Sequence, residues 1–283
     1  MVRHYAGFEA GVWYVAEGTE GQTPNDASFL NLSHKATVAI SSQATPVIVA
    51  KSGSVDNASA KKGVDTPVAT ITFNPSTASG QAFIKNYIST DNAFSLVVMI
   101  DEGSDVIFAR LTGCKVKRLS PSVELYPSAG ALNVTVEIWG WTILYTASSG
   151  TPTFESSPAT FVNWTDISIE KATVAVTDWW NFNWSVENDL FRSVDDNGAC
   201  TAITRGRRRV TGDWTRSSNA TVGVGDTELN EQKNATPVDL EFHIGADEYH
   251  FDDCAYSEVE VEHPITALVG IRQAFEAITF SIV

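Results

Sequence analysis

Five histidines, three cysteines and 34 acidic side chains are the groups in this 283-residue chain that could hold a metal, activate water or attack a substrate. Their spacing does not organise them. His243 and His250 stand seven apart on predicted strands, which is not a ligand spacing, and His4, His34 and His263 are isolated. Asp195, Asp196, Asn197 and Gly198 begin like a calcium loop, but Gly206 falls where that loop needs a glutamate, so a turn is expected. Cys114, Cys200 and Cys254 are too scattered for a disulfide framework or a paired CxxC and read as reduced, mostly buried residues. No GxxxxGK[ST], HExxH or GxSxG pattern occurs, and nothing marks one carboxylate pair as a glycosidase dyad. The chain is expected to have no catalytic, cofactor or metal site, and not to be an enzyme.

One charged cluster remains, RGRRR, with Arg205, Arg207, Arg208 and Arg209. It is short and lacks interleaved aromatics, against a role in gripping nucleic acid. It reads as a solvated turn or as a contact to an acidic neighbouring subunit, since Arg makes two-pronged bonds to carboxylates. The net charge of −15 argues the same way, because phosphate binding rewards clustered cations. Nine of the 19 bases are Lys, a balance shared by proteins of salt-loving hosts and by ordinary acidic proteins. Seven Asn-x-Ser/Thr triplets, at Asn31, Asn57, Asn133, Asn163, Asn183, Asn219 and Asn234, read as composition. No run reaches the roughly 18 to 20 apolar residues of a membrane helix, and the start lacks a secretory pattern. A soluble protein made in the cytoplasm is expected.

The elements that must position these groups are strands. Trp139, Trp141 and Ile143 alternate with small or polar residues, as do Ile278, Phe280 and Ile282, and Glu258 to Glu262 read EVEVE. Segments recur in order along the two halves. KATVAI at 35–40 meets KATVAV at 171–176, and VATITFNPS from Val68 meets RVTGDWTRS from Arg209. SLVVMI from Ser95 meets DLEFHI from Asp239, Cys114 meets Cys254, and EIWGWTI from Glu137 meets EAITFSI from Glu276. Helices are expected at 79–88 and 226–233, with Ser79 and Asp226 as N-caps. The reading is two copies of one β domain, each a small sandwich or partial barrel with one short helix. They occupy 1–145 and 162–283, joined by a Ser/Thr/Pro/Gly-rich linker at 146–161.

Within the second copy, Ser185, Val186, Asn188 and Leu190 form an S-V-x-N-x-L phrase. Gly206, Arg207, Arg208, Val210, Thr211 and Gly212 form G-R-R-x-V-T-G. The two phrases resemble those of tail tube proteins from long-tailed, siphovirus-like viruses of bacteria or archaea. The resemblance implies two packed sheets flanked by a helix. It implies rings presenting six domains around a lumen, so that three two-domain chains complete a pseudo-sixfold ring. Stacked rings would form the conduit for viral DNA, which passes without specific binding, and other tail proteins would meet the tube ends. It places the protein in the virion tail. Loops at 51–66 and 191–206 would order on stacking. The counterpart of acidic EVEVE is basic CKVKRL at 114–119, so an evenly acidic lumen does not follow. A tail-tip hub is the nearest alternative. A carbohydrate- or receptor-binding sandwich is another, with Trp179 and Trp180 as exposed stacking surfaces.

Overall fold

The computed structural model describes residues 5–22, 28–44, 47–50, 57–61, 65–101, 106–125, 130–146, 153–156, 160–195, 198–217, 224–262 and 270–283. Its first half contains β1 (Tyr5–Ala16), β2 (Ser28–Ala44), β3 (Val47–Ala50), β4 (Asn57–Lys61) and β5 (Asp65–Phe73). Helix α1 (Ser79–Ser89) follows, then β6 (Phe94–Asp101), β7 (Val106–Glu124), β8 (Asn133–Trp139) and β9 (Thr142–Thr146). After β10 (Thr153–Phe154), the second half runs β11 (Ile167–Lys171), β12 (Val174–Ala175), β13 (Trp179–Val194) and β14 (Cys200–Ser217). It ends with α2 (Val224–Lys233), β15 (Val238–Ile244), β16 (Asp247–Glu262), β17 (Gly270–Ala277) and β18 (Thr279–Ile282). The fold is all-β, as the alternation of apolar and polar residues leads one to expect.

The ladders of the two halves run in the same order. In the first, β1 pairs with β6, β2 with β5, β5 with β8, and β7 with β6, β8 and β9. In the second, β11 pairs with β15, β13 with β14, β14 with β17, and β16 with β15, β17 and β18. Register agrees at several points. Thr70 lies opposite Glu137, and Thr211 opposite Glu276. Phe94 faces Cys114 and Val238 faces Cys254, each followed by a register shift. The exception is β1–β2, because β13 instead pairs with β7.

Two sequence expectations need correction. KATVAI lies inside the continuous strand β2, whereas KATVAV spans the β11–β12 turn at Ala172 and Thr173, both at positive φ. Ladder register instead sets buried Ala36, Val38 and Ile40 beside Phe182, Trp184 and Val186. The hexamers match by composition, since Ala, Thr and Val suit both an extended strand and its end. The N-caps also differ. Helix α1 follows Ala78, with Ser76 Oγ accepting from the Gly80 N–H, and α2 starts at Val224, so Ser79 and Asp226 lie within the helices.

The core is continuous across both halves. Helix α1 buries Phe83, Ile84, Tyr87 and Ile88, whose spacing forms one stripe against Tyr14 and Phe94. The second half stacks Phe182, Trp184, Phe242, Tyr249, Phe251 and Phe280 between its sheets. Glu228 of α2, 1% exposed, receives both Lys171 and Arg216, fastening the helix to β11 and β14. The described part of the linker is docked. β10 runs parallel to β2, Phe154 packs beside Trp13 and Phe108, and the Glu155 carboxylate accepts from Asn31 N and Ser79 Oγ.

All three cysteines are free thiols, Cys114 and Cys254 fully buried and Cys200 half-buried. Burial pushes Cys254 from its ordinary 9.0 up to about 12, and raises Cys114 as well. A pKa raised in the folded state means a stability contribution intact below about pH 9 and lost as pH climbs toward 12. Urea midpoints should therefore fall over that window. At pH near 8, a thiol reagent should modify Cys200 alone until the protein unfolds; rapid modification of all three thiols would contradict the packing.

Candidate functional site

The S-V-x-N-x-L and G-R-R-x-V-T-G phrases are the two arms of one hairpin. Ser185 faces Thr211, Val186 faces Val210, Asn188 faces Arg208, and Leu190 faces Arg205. Gly212 faces Trp184, and a Cβ there would meet Phe275 Cζ at 2.4 Å and Asn183 O at 2.7 Å. That close approach requires glycine. The segment 191–206, expected as a loop, is mostly the distal end of this hairpin. Between its two strands, Asp195 Oδ1 accepts from the Ala199 N–H and Gly198 has a φ of +79°. The segment's side chains divide: Ile203 is buried and Arg192 packs over Trp139, while Phe191, Ser193 and Val194 are exposed. The β3–β4 hairpin occupies the equivalent place between β2 and β5; residues 51–56 and 62–64 of the expected 51–66 loop lie outside the described residues.

The other edge of β13 joins the halves. It pairs antiparallel with β7, setting Val186 opposite Leu119 and Phe182 opposite Val123, all buried. Asn188, 1% exposed, donates Nδ2 to Val116 O at 2.9 Å, while its own carbonyl accepts from Lys117 Nζ. Lys117 also lies 3.3 Å from Glu187, and Arg118 sits opposite Glu187. Through this seam, eight strands of a sixteen-stranded sheet follow one another in the order β16–β17–β14–β13–β7–β8–β5–β2.

The face of these eight strands away from the core is organised in rows across them. One row is hydroxyl-rich: Thr37, Thr72, Thr135, Ser120, Ser185 and Thr211. Within it, the Thr72–Thr135 and Ser120–Ser185 oxygens are 3.0 and 3.1 Å apart. A second row alternates in charge, running Glu137, Arg118, Glu187 and Arg209 on β8, β7, β13 and β14. A third links Ser122, Asn183 and Asp213, with Arg272 3.7 Å from Asp213. Ser120, Ser122, Asn183, Ser185, Thr211 and Asp213 line a shallow concavity, so the polar face is hollowed here. The acids and bases of this face neutralise one another locally.

The arginine cluster divides. Arg205 and Arg208 donate to the Ile88 and Thr90 carbonyls at the C-terminal end of α1, the favourable end for cations. Arg208 also lies over the Phe280 ring, and burial lowers its pKa. Arg209 holds Glu276 bidentately, and that hydrogen bond lowers the Glu276 pKa. Arg207 is exposed, in a hollow with Glu187, Asp189 and Glu276. Trp179 is buried and Trp180 half-buried against Gly270, which corrects their expected role as exposed stacking surfaces.

The sheet also brings together residues that spacing along the chain separated. His250 lies opposite Glu241, and His243 opposite Glu248. Glu170, Glu241 and His243 form one group whose ligand atoms lie within 4.8 Å of one another, and Glu241, Glu248 and His250 form another. Carboxylate oxygens lie 3.2 to 3.9 Å from the ring nitrogens, and of these approaches His250 Nε2–Glu248 at 3.2 Å is a hydrogen bond. Cross-strand adjacency, which a single sequence does not display, was the missing signal. The rows were hidden for the same reason: alternation marks Ser120 and Thr135 as outward-facing without saying that they are neighbours.

A family model described as phage tail tube protein matches residues 7–278, across both halves, and the chain belongs to that family. It is a structural protein of the virion tail. No curated protein matches the chain. Among the described residues, no helix is long and apolar enough to cross a membrane.

Asn188→Ala should lower stability by about 1–3 kcal/mol, because the buried Val116 carbonyl loses its donor. Asp189→Ala, on the exposed neighbour, should change it by less than about 0.5 kcal/mol. Equal urea midpoints for the two variants would mean that the Asn188 amide does not hold the seam.

Proposed function

We propose that this chain is a non-catalytic stave pair of a siphovirus-type tail tube. Two tube-type domains, 1–145 and 162–283, are joined through 146–161. Three chains close a pseudo-sixfold ring, and stacked rings form a hollow conduit along which viral DNA slides. The carrying observation is the β13–β7 seam, through which eight successive strands share a packed face and a hollowed polar face. Like-ordered ladders in the two halves support a domain duplication.

The polar face is read as the lumen wall. Hydroxyls and locally paired charges offer DNA phosphates no comb of unopposed cations, so passage is not arrested by counterion-releasing contacts. Arg207 and Arg209, on the exposed side of the cluster, are the arginines best placed to meet a neighbouring subunit. Synthesis in the host cytoplasm and contacts with other tail proteins at the tube ends complete the reading. The β3–β4 and β13–β14 hairpins are the segments proposed to order between stacked rings.

Electron microscopy of the purified protein should show rings or hollow tubes; monomers that bind glycans instead would overturn the proposal. Single rings that never stack would favour a tail-tip hub. Deleting residues 53–62 should preserve folding and rings but cut tube length severely, and long normal tubes from that deletion would remove these hairpins from the stacking contact.

A further inference from the structure

The seam inside the chain specifies the seam between chains, and this inference rests on the ring-forming reading above. The first edge of β16 carries β18 and then β17, with a register shift between Tyr256 and Glu258. Its second edge carries β15 only as far as Cys254. Among the described residues, that second edge has no ladder partner over Glu258–Glu262. The corresponding edge of β7 carries β6 up to Cys114 and then β13, which sits where the second half has nothing. What β13 is to β7, β2 would be to β16. The outer edge of β2 is not open in this chain, however. The first half of β1 lies on it, with Tyr5 opposite Ile40, Phe8 opposite Val38, Glu9 opposite Thr37 and Ala10 opposite Ala36. The second-half counterpart, β11, does not pair with β13. The cap is separable in register: the β1–β2 ladder shifts between Ala10 and Val12, beyond which β1 is also held by β6.

We propose that residues 5–10 are a removable cap on the edge of β2, and that β16 of a second copy replaces them. The register follows by transfer. The cysteines and the shifts at Val116/Arg118 and Tyr256/Glu258 match Arg118 to Glu258, whereas the β8 and β17 ladders set Ser120 there, two residues on and on the same face. The proposed register follows the cysteine match, with Glu187 matched to Ser41 through the β2–β5 and β13–β14 ladders. Glu258 then faces Ser41 of the second copy, Glu260 faces Ala39, and Glu262 faces Thr37. In the same register Val259 meets Ile40 and Val261 meets Val38, apolar against apolar, as Leu119 meets Val186 in the internal seam. A one-residue slip would reverse every side chain, so the match of faces excludes the odd registers, and the 39–260 cross-link below separates this register from its two-residue neighbours. The cap hides an edge that would otherwise template indiscriminate pairing before a sister chain arrives.

Two cysteine pairs test this. Glu9→Cys with Thr37→Cys, opposite one another in the β1–β2 ladder, should form an intrachain disulfide that holds the cap down. Ring yield should drop by about tenfold or more when oxidised and recover on reduction, because the competent state is depleted. Glu260→Cys with Ala39→Cys should cross-link between chains only after assembly, running as a closed oligomer on a non-reducing gel. If the oxidised Glu9–Thr37 variant assembles like its reduced form, the cap is wrong. If rings form without the 39–260 cross-link, the register is wrong. Should the single-cysteine parents make no rings, the ring-forming reading itself fails, independently of the cap.

Discussion

The structure depends on what the second edge of β7 does. Over its first part that edge completes the roll formed by β6, β1, β2, β5 and β8; over its last part it accepts β13. One strand therefore belongs to two sheets' worth of hydrogen bonds, which its nineteen-residue length allows. Without the second partner, β13 would expose backbone groups next to Phe182, Trp184 and Val186, an apolar edge prone to aggregation. The seam covers that edge with buried Leu119 and Val123, and Asn188 Nδ2 donates across it to the Val116 carbonyl. Hydrophobic burial supplies the energy, while the amide and the Lys117–Glu187 contact help set the register.

Period-two alternation then gives the joined sheet two unlike faces. The same strands that send Val136, Val186 and Trp214 inward send Glu137, Glu187 and Asp213 outward. Charges on the outward face are arranged across strands: Arg118 stands between Glu137 and Glu187, and Arg209 between Glu187 and Glu276. The overall acidity of the chain therefore overstates the local field of this face. The expected imbalance between EVEVE and CKVKRL is a difference between edges. CKVKRL has found an acidic partner within the chain, whereas EVEVE pairs with β17 on one edge and has no ladder partner on the other among the described residues.

Much of the fold was legible because it follows from local chemistry. Alternating runs marked the strands, the Phe83–Ile88 stripe marked α1, and Cys114 and Cys254 located equivalent bulges at a one-residue level of detail. What failed were matches that rested on letters rather than pattern. KATVAI and KATVAV share residues but differ in backbone, because positive φ at Ala172 and Thr173 is imposed by the tight β11–β12 turn. The segment expected as a loop at 191–206 is mostly hairpin, and its inner side is filled by part-buried Arg192 and Arg205 beside buried Ile203, so polar residues stand where alternation would look for apolar ones. Of the candidate site, the two family phrases were visible, but not that they pair with each other, nor that Asn188 reaches across to β7. Those facts live in the register between strands, which no window along one segment contains.

The two halves are also held rigidly, which bears on how a ring would form. Arg205 and Arg208 clamp β14 to the end of α1, while Gln81 and Lys85 of α1 reach Asp247 at the β15–β16 turn. Arg192 lies over Trp139 and donates to Pro67 O, tying the β13 arm to β5 and β8. With β10 and Glu155 docked as well, the chain is not two beads on a flexible tether. On the proposed reading, every second lateral seam of a ring is then made during folding, at the high effective concentration of one molecule. Only the alternate seams await collision between chains, and those are the ones whose free edge would need a cap.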